Sequence, residues 1–503
     1  MRTRNSIYNI VFSLIHKVST ILFGFIVAKL ILITYGSAIN GMLASIRQFI
    51  SYLTLLEMGI AGASIYALYK PLSENDDAQI SKILVEAKRY YFKSGIAFTV
   101  GCVILSIIYP FIVSNSTIKH TTIFLIFLIL SVSTAMDFFA FAKYRVIFTA
   151  DQKEYIISIC NIIYLITYSI LTILVIKANL SIIIMQLTIV IAYFIRSGIL
   201  FFFYRKIYGK RFDLTVKSDK RLVTQKSAAM IHEISWLVLS SMPMVVMTFF
   251  YSFNQISVYS VYNMIVSNIV IIISIFNSAF TAGFGELLSK QQYNRFSELY
   301  HQFEFMYFSI SGFLLLCTLQ LIQPFVDIYT QGITDVSYNN KTLVIFMILL
   351  GISNSFRVPS SIIIGITGSY KQTIKPTVIV TIICIILSSA FAFINFELIL
   401  VGSIISYIIK GIVFMRCSDK LSIGYNLNKS IKNIIISIII FVITFYSTTF
   451  LVDNNALSYF KWIQNSMKVT IGNIIFYIVL MILLNRDLTL SVFRRFKLLG
   501  KGV

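Results

Sequence analysis

The stretch LSENDDAQISKILVEAKRYYF occupies residues 72–92, and LSKQQYNRFSELYHQFEFMYF occupies residues 288–308. The two align without a gap at an offset of 216, opening on the same Leu-Ser and closing on the same Tyr-Phe. The same offset returns elsewhere: SLIHKVST (13–20) falls on AMIHEISW (229–236), and Tyr35 falls on Tyr251. Pro110-Phe111 matches Pro324-Phe325 at an offset of 214, STAMD (133–137) lies on SNSFR (353–357), and TADQK (149–153) on TGSYK (367–371). Each match is weak alone. A nearly constant offset over such a length predicts two copies of one unit.

Composition says what the unit is made of. The chain has 503 residues, of which 57% are hydrophobic and 12% charged, with a mean hydropathy of +0.85. A soluble domain carries about twice that share of charge. Fourteen apolar runs are long enough for a hydrocarbon core, which takes about 20 residues per helix. They lie near 9–34, 41–69, 91–113, 121–143, 155–176, 181–203, 229–251, 256–281, 302–323, 342–365, 377–394, 397–415, 431–452 and 467–485. The expected class is an all-α polytopic membrane protein, because barrel strands would alternate in short segments instead. The first run follows Arg2 and Arg4, but it is long and has no small-residue cleavage site, so it reads as a retained helix.

Six runs fall in each copy. An even number keeps both copies in one orientation, which implies a two-fold axis along the membrane normal. The expected organisation is an N-lobe at 1–228, a C-lobe at 229–430, and two further helices with a basic tail at 431–503. Such lobes are expected to enclose a central site and to open it to each side in turn.

Net charge is +22. The basic residues lie between the apolar runs rather than in one patch, so a nucleic-acid partner is not expected. With both termini cytoplasmic, the inner segments hold 32 of the 42 lysines and arginines and the outer segments five. That asymmetry sets the topology. Two inner stretches look amphipathic: 72–91, with Ile80, Ile83, Leu84 and Ala87 at helical spacing, and the tail 489–503, with Arg494, Arg495, Lys497 and Lys501. Both are candidates to lie on anionic membrane lipids or, for 72–91 equally, to form a plain loop helix.

The remaining ionisable residues sit inside the runs, where a charge is costly and marks a cavity, a partner or a snorkelling side chain. Asn9, Ser13, His16 and Thr20 form one stripe with Lys17 at its border. It lines either a cavity or a polar seam between helices, and His16 titrates near neutral pH when unperturbed. Arg47, Ser51, Thr54 and Glu57 form a second stripe. It reads as an internal Arg47–Glu57 pair, or as an anion-binding arginine with a titratable carboxylate. Asp137 and Arg357 occupy matched repeat positions with opposite sign, which allows a structural ion pair. Arg357 lies beside Pro359, which removes a backbone hydrogen bond. Arg196, two turns from the inner end, is expected to snorkel. His232 and Glu233 open the seventh run, where the helix dipole accounts for the carboxylate.

Lys17, Lys29, Arg47, Arg196 and Arg357 outnumber the mid-helix acids Glu57 and Asp137. A cationic interior favours anions, and guanidinium suits phosphate. No Walker loop, catalytic constellation or zinc spacing is present, and the five cysteines read as packing residues. No cofactor is expected. Energy would come from a gradient, with coupling to H+ or Na+ and with Glu57, Asp137, His16, His232 and Glu233 as candidate coupling groups.

Several stretches carry a resemblance: YGSAINGMLASIRQFISYLTLLEMGIAGASIYALYKPL (35–72), FTADQKEYI (148–156), VYSVYNMIVSNI (258–269), FTAGFGELLS (280–289) and RVPSSIIIGITGSYKQT (357–373). The chain resembles the Wzx-type polysaccharide and O-antigen flippase family of the multidrug/oligosaccharidyl-lipid/polysaccharide (MOP) flippase superfamily. The resemblance implies fourteen helices in a MATE-like fold, and transfer of polyprenyl-diphosphate-linked oligosaccharide across a bacterial cytoplasmic membrane for capsule, exopolysaccharide or O-antigen synthesis. It implies a cationic cavity, onto which Lys17, Arg47, Arg357 and Arg196 are placed. Polysaccharide polymerase and glycosyltransferases are then expected neighbours. The rivals are a multidrug/ion antiporter of the same fold, a flippase for a peptidoglycan or teichoic-acid precursor, and a membrane-embedded polymerase. The last usually carries a sizeable outer loop, and none is seen here.

Overall fold

The computed structural model describes residues 2–57, 60–113, 117–209, 211–213, 215–216, 227–421, 423–453 and 458–489. The basic tail singled out above lies outside these residues, save Thr489. The described chain is helical throughout: α1 (Arg2–Leu53), α2 (Ile60–Glu74), α3 (Asp77–Ile112), α4 (His120–Met136), α5 (Ala142–Ala150), α6 (Glu154–Lys177), α7 (Ile182–Tyr208), α8 (Ser227–Phe250), α9 (Phe253–Ser289), α10 (Tyr293–Tyr329), α11 (Lys341–Ile366), α12 (Tyr370–Phe391), α13 (Ile399–Lys420), α14 (Leu427–Thr448) and α15 (Tyr459–Leu484). In lipid a helix satisfies its own backbone polar groups, which is why apolar runs of this length become helices. Thirteen of the described helical segments are long and apolar enough to cross a membrane. The first of them holds two spans, because α1 turns at Gly36, whose φ is 84° and ψ 172°. The chain is a multi-pass membrane protein.

The helices differ from the apolar runs in informative places. The expected second run is interrupted by a 3-10 turn at Thr54–Glu57 before α2 begins. The fourth run passes through a π-helical turn at Asp137–Phe141 between α4 and α5. The amphipathic stretch is not a separate surface helix: residues 77–92 are continuous with the third span as α3. Its apolar face is packed in protein rather than laid on lipid, since Ile80, Ile83, Leu84 and Ala87 are all buried.

The chain divides into two compact units, one of residues 1–234 with 248–257, the other of 235–247 with 258–503. Within the first, α1 packs on α6, α6 on α7, α3 on α4, and α4 on α7. Within the second, α12 packs on α13, α10 on α11, and α11 on α13. Three pairings recur between equivalent helices of the two units: α3–α4 as α10–α11, α4–α7 as α11–α13, and α6–α7 as α12–α13.

Backbone landmarks repeat as well. The turn at Gly36 matches the break between α8 and α9 at Ser252, and Asn75 and Gln291 both take positive φ (55° and 56°). Gln152 and Gly368 do the same (56° and 67°). All three pairs keep the 216 offset, so the helix ends place Ala150 opposite Ile366 and correct the alignment of TADQK on TGSYK by two residues. Counted from those ends, Asp137 falls opposite Ser353, about one turn from Arg357. The expected equivalence of Asp137 and Arg357 does not hold.

α14 and α15 are additions to the second unit. Both pack on α10 and on each other, where Phe305 and Leu316 of α10 meet Ile436 and Ile440 of α14 and Tyr477 of α15.

Candidate functional site

The break in α1 lets one helix line a space twice. In the first unit a cavity of about 440 Å³ is bounded by Thr20, Phe23 and Val27 before Gly36, and by Asn40, Arg47 and Ser51 after it. Ser133 and Thr134 of α4, Tyr164, Tyr168 and Ser169 of α6, and Tyr193 of α7 close the other side. The lining is therefore rich in hydroxyls and tyrosine rings. Tyr164 and Tyr168 stack with centroids 6.2 Å apart and planes within 5°, and Tyr193 meets Tyr164 edge-on at 4.8 Å. Among the described residues, Tyr168 Oη and Ser169 Oγ are buried without a hydrogen-bond partner, an arrangement that leaves polar capacity in the wall.

Arg47 enters this cavity with its side chain exposed and forms no ion pair among the described residues. The expected partner, Glu57, is taken instead by Arg145 of α5, which ion-pairs with it. The 3-10 turn carries Glu57 away from the face of Arg47. This is the correction to the internal Arg47–Glu57 pair.

Arg196 does not snorkel. It is 7% exposed and is bound to Asp137 at the head of the π-helical turn. Its guanidinium lies 4.0 Å from the Phe141 ring centroid, 4.3 Å from Tyr193 and 5.5 Å from Tyr164. Asn161 accepts a further bond at 3.4 Å. Burial demands a counter-charge and stacked rings of this kind. Arg196 and Asp137 thus buttress the tyrosine wall rather than offering free charge to the cavity, and the partner that Asp137 takes is Arg196.

The first polar stripe splits along its length. Asn9 donates to the Gln152 carbonyl at 3.0 Å and accepts from Tyr155 N–H at 2.8 Å, and Ser13 lies 3.5 Å from Ser158. That part is a seam with α6. Thr20, in contrast, lines the cavity. Between them, half-buried His16 lies within electrostatic reach of Arg196 and Lys17, and Lys17 is exposed. His232 is half-buried and Glu233 exposed near the start of α8. Arg357 is held within the second unit, donating to Asn354 at 2.9 Å over the Tyr407 ring at 5.5 Å, and Pro359 is absorbed in a continuous α11.

The second unit carries a different feature. An apolar cavity of about 470 Å³ runs between Gly312 and Leu315 of α10, Ile352 of α11, Ile404 of α13, and Ile438 and Phe441 of α14. A second, of about 260 Å³, shares Phe356 and Ile434 with it and reaches Arg416. The two adjoining cavities are lined almost wholly by apolar side chains, with Arg416 among the residues of the smaller one.

Lys410 and Glu304 are among the buried polar groups that the sequence reading did not single out. Lys410 is 2% exposed and donates to Ser235 Oγ at 2.9 Å, where Thr381 also donates at 2.8 Å. Ser403, Ser406, Tyr407 and Lys410 recur at helical spacing inside the run at 397–415, which is the signal that marks Lys410 as buried. Glu304, 2% exposed, lies 3.3 Å from His301 Nδ1 and accepts from Asn433 Nδ2 at 3.2 Å. The same amide donates to the His301 carbonyl at 3.3 Å, which ties α14 to α10.

No family model matches the chain, and no curated protein matches it in sequence. Solved structures do match. The lipid II flippase MurJ in an inward closed conformation aligns over 95% of this chain and 99% of its own, with a TM-score of 0.69 and 16% identity. An inward-facing multidrug resistance MATE transporter of the MOP superfamily aligns over 81% and 94%, with a TM-score of 0.61 and 12% identity. A Vibrio cholerae MATE transporter aligns over 85% and 99%, with a TM-score of 0.56 and 12% identity. The chain has the fold of the MOP-superfamily transporters.

Proposed function

We propose that this protein is a flippase that turns a polyprenyl-diphosphate-linked oligosaccharide from the inner to the outer leaflet of a bacterial plasma membrane, with both termini inside, to supply capsule, exopolysaccharide or O-antigen synthesis. One observation carries the reading: the two units offer complementary linings. The first holds a tyrosine- and hydroxyl-lined cavity with an unneutralised arginine, suited to sugars and phosphate. The second holds two adjoining apolar cavities, suited to an isoprenoid chain. A cationic drug would favour acids in the cavity, whereas Glu57 and Asp137 are both bound by arginines.

The test is transfer of a fluorescent polyprenyl-diphosphate oligosaccharide in proteoliposomes. Arg47→Ala is expected to slow it about tenfold or more, the worth of one charge-assisted phosphate contact, with the folded protein retained. Unchanged transfer removes Arg47 from the site. A second reading, transfer of a peptidoglycan-type lipid precursor, is favoured by the near full-length match to a lipid II flippase. Competition between the two lipid-linked substrates separates the readings. Collapsing H+ or Na+ gradients in the same vesicles tests coupling.

A further inference from the structure

At the 216 offset, Glu304 of the second unit corresponds to Lys88 of the first. Glu304 is sealed beneath α14, but Lys88 is exposed. Lys88 shares a small depression with Leu84 on α3, Lys143 and Tyr144 on α5, and Tyr204 on α7. The Lys143 ammonium stands 4.9 Å over the Tyr144 ring, and the Tyr144 and Tyr204 centroids are 4.6 Å apart. Arg205, next to Tyr204 on α7, has its guanidinium 5.1 Å from the Phe201 centroid and within electrostatic reach of the Tyr144 phenol.

Among the described residues no carboxylate pairs with Lys88, Lys143 or Arg205. The nearby Arg145 has its own partner in Glu57. Two ammonium groups drawn into one depression repel each other, and the arrangement is relieved when an anion completes it. The surroundings specify which kind. Tyr144 and Tyr204 form a buried aromatic floor, and Phe201 and Phe202 stand out from the same end of α7 at 40% and 61% exposure. Charge above an apolar ledge matches a headgroup with chains attached. The copy in the second unit has lost this arrangement, so the fold itself does not require it.

We propose that this depression binds the phosphate ester of an anionic membrane lipid, with Lys88, Lys143 and Arg205 meeting the phosphate and the α7 phenylalanines meeting the chains. The measurement is native mass spectrometry of the full chain in detergent with added phosphatidylglycerol. The double substitution Lys88→Gln/Lys143→Gln is expected to weaken the tightest lipid by about thirtyfold, as expected for two lysines at a lipid headgroup. Lys82→Gln/Lys93→Gln, on the same helix and equally exposed, is expected to leave it unchanged. The proposal is overturned by equal loss in both double variants, by retained binding in the first, or by displacement of the lipid with millimolar inorganic phosphate, which would reassign the site to a soluble anion.

Discussion

Residue 88 on α3 and residue 304 on α10 hold one position in two copies of the same helix, and they have opposite fates. Lys88 stands exposed beside Lys143. Glu304 is enclosed with His301 and Asn433, with the Tyr425 ring tilted against the imidazole at 5.8 Å. The difference comes from α14 and α15, which pack on α10 and have no counterpart on α3. A helix face that borders lipid or water in one copy became protein interior in the other. A lone lysine is tolerated on the open face, but on the covered one every polar group needs a partner.

The contrast is broken most directly by Glu304→Ala. It strands His301 and Asn433 in the interior and is expected to cost about 4 kcal/mol, read as a large fall in the unfolding temperature of the purified protein. A loss as small as that of a surface variant would mean that α14 does not depend on the buried cluster. Within the first unit the nearest equivalent is Arg196→Ala. It is expected to cost about 2 kcal/mol, less than for a fully enclosed charge, because the Asp137 side chain keeps 26% exposure. The same substitution loosens the Tyr164–Tyr193 wall, so tryptic cleavage or hydrogen exchange in α6 should rise with it. Asn433→Ala removes one amide shared by two acceptors and is expected to cost about 1.5 kcal/mol, with faster exchange confined to α14 and α10. Lys88→Ala should stay within about 0.5 kcal/mol of the parent. A larger loss there would show that the exposed copy is also structurally engaged.

Much of the architecture was readable because it rests on quantities a sequence displays. Apolar length gave the spans, and a repeated offset gave the duplication, which positive φ at Asn75 and Gln291 repeats in the backbone. Which way each helix turns its charges was not readable. Arg47 and Glu57 share a spacing on paper, yet the 3-10 turn at Thr54–Glu57 rotates them apart, and Arg145 answers from 88 residues away. Arg196 looked close enough to an interface to escape, but the π-helical turn offers it Asp137. The periodicity of 72–91 left a helix on lipid and a plain loop helix equally open, and the structure instead buries Ile80, Ile83, Leu84 and Ala87 in protein, since periodicity marks an apolar face without naming what covers it. His301 and Glu304 lie only three residues apart, but the Asn433 amide that closes their cluster comes from α14, 132 residues beyond His301.

Gly36 is the mechanical joint of α1. At φ 84° and ψ 172°, a conformation open at low cost only to a residue without Cβ, two rotatable bonds set the inclination between the halves of α1. Thr20 and Phe23 hang from one half, Asn40 and Arg47 from the other. Rotation about a single α-carbon is therefore enough to widen or narrow the chamber they share, with the hydrogen-bond ladders of both rods left whole.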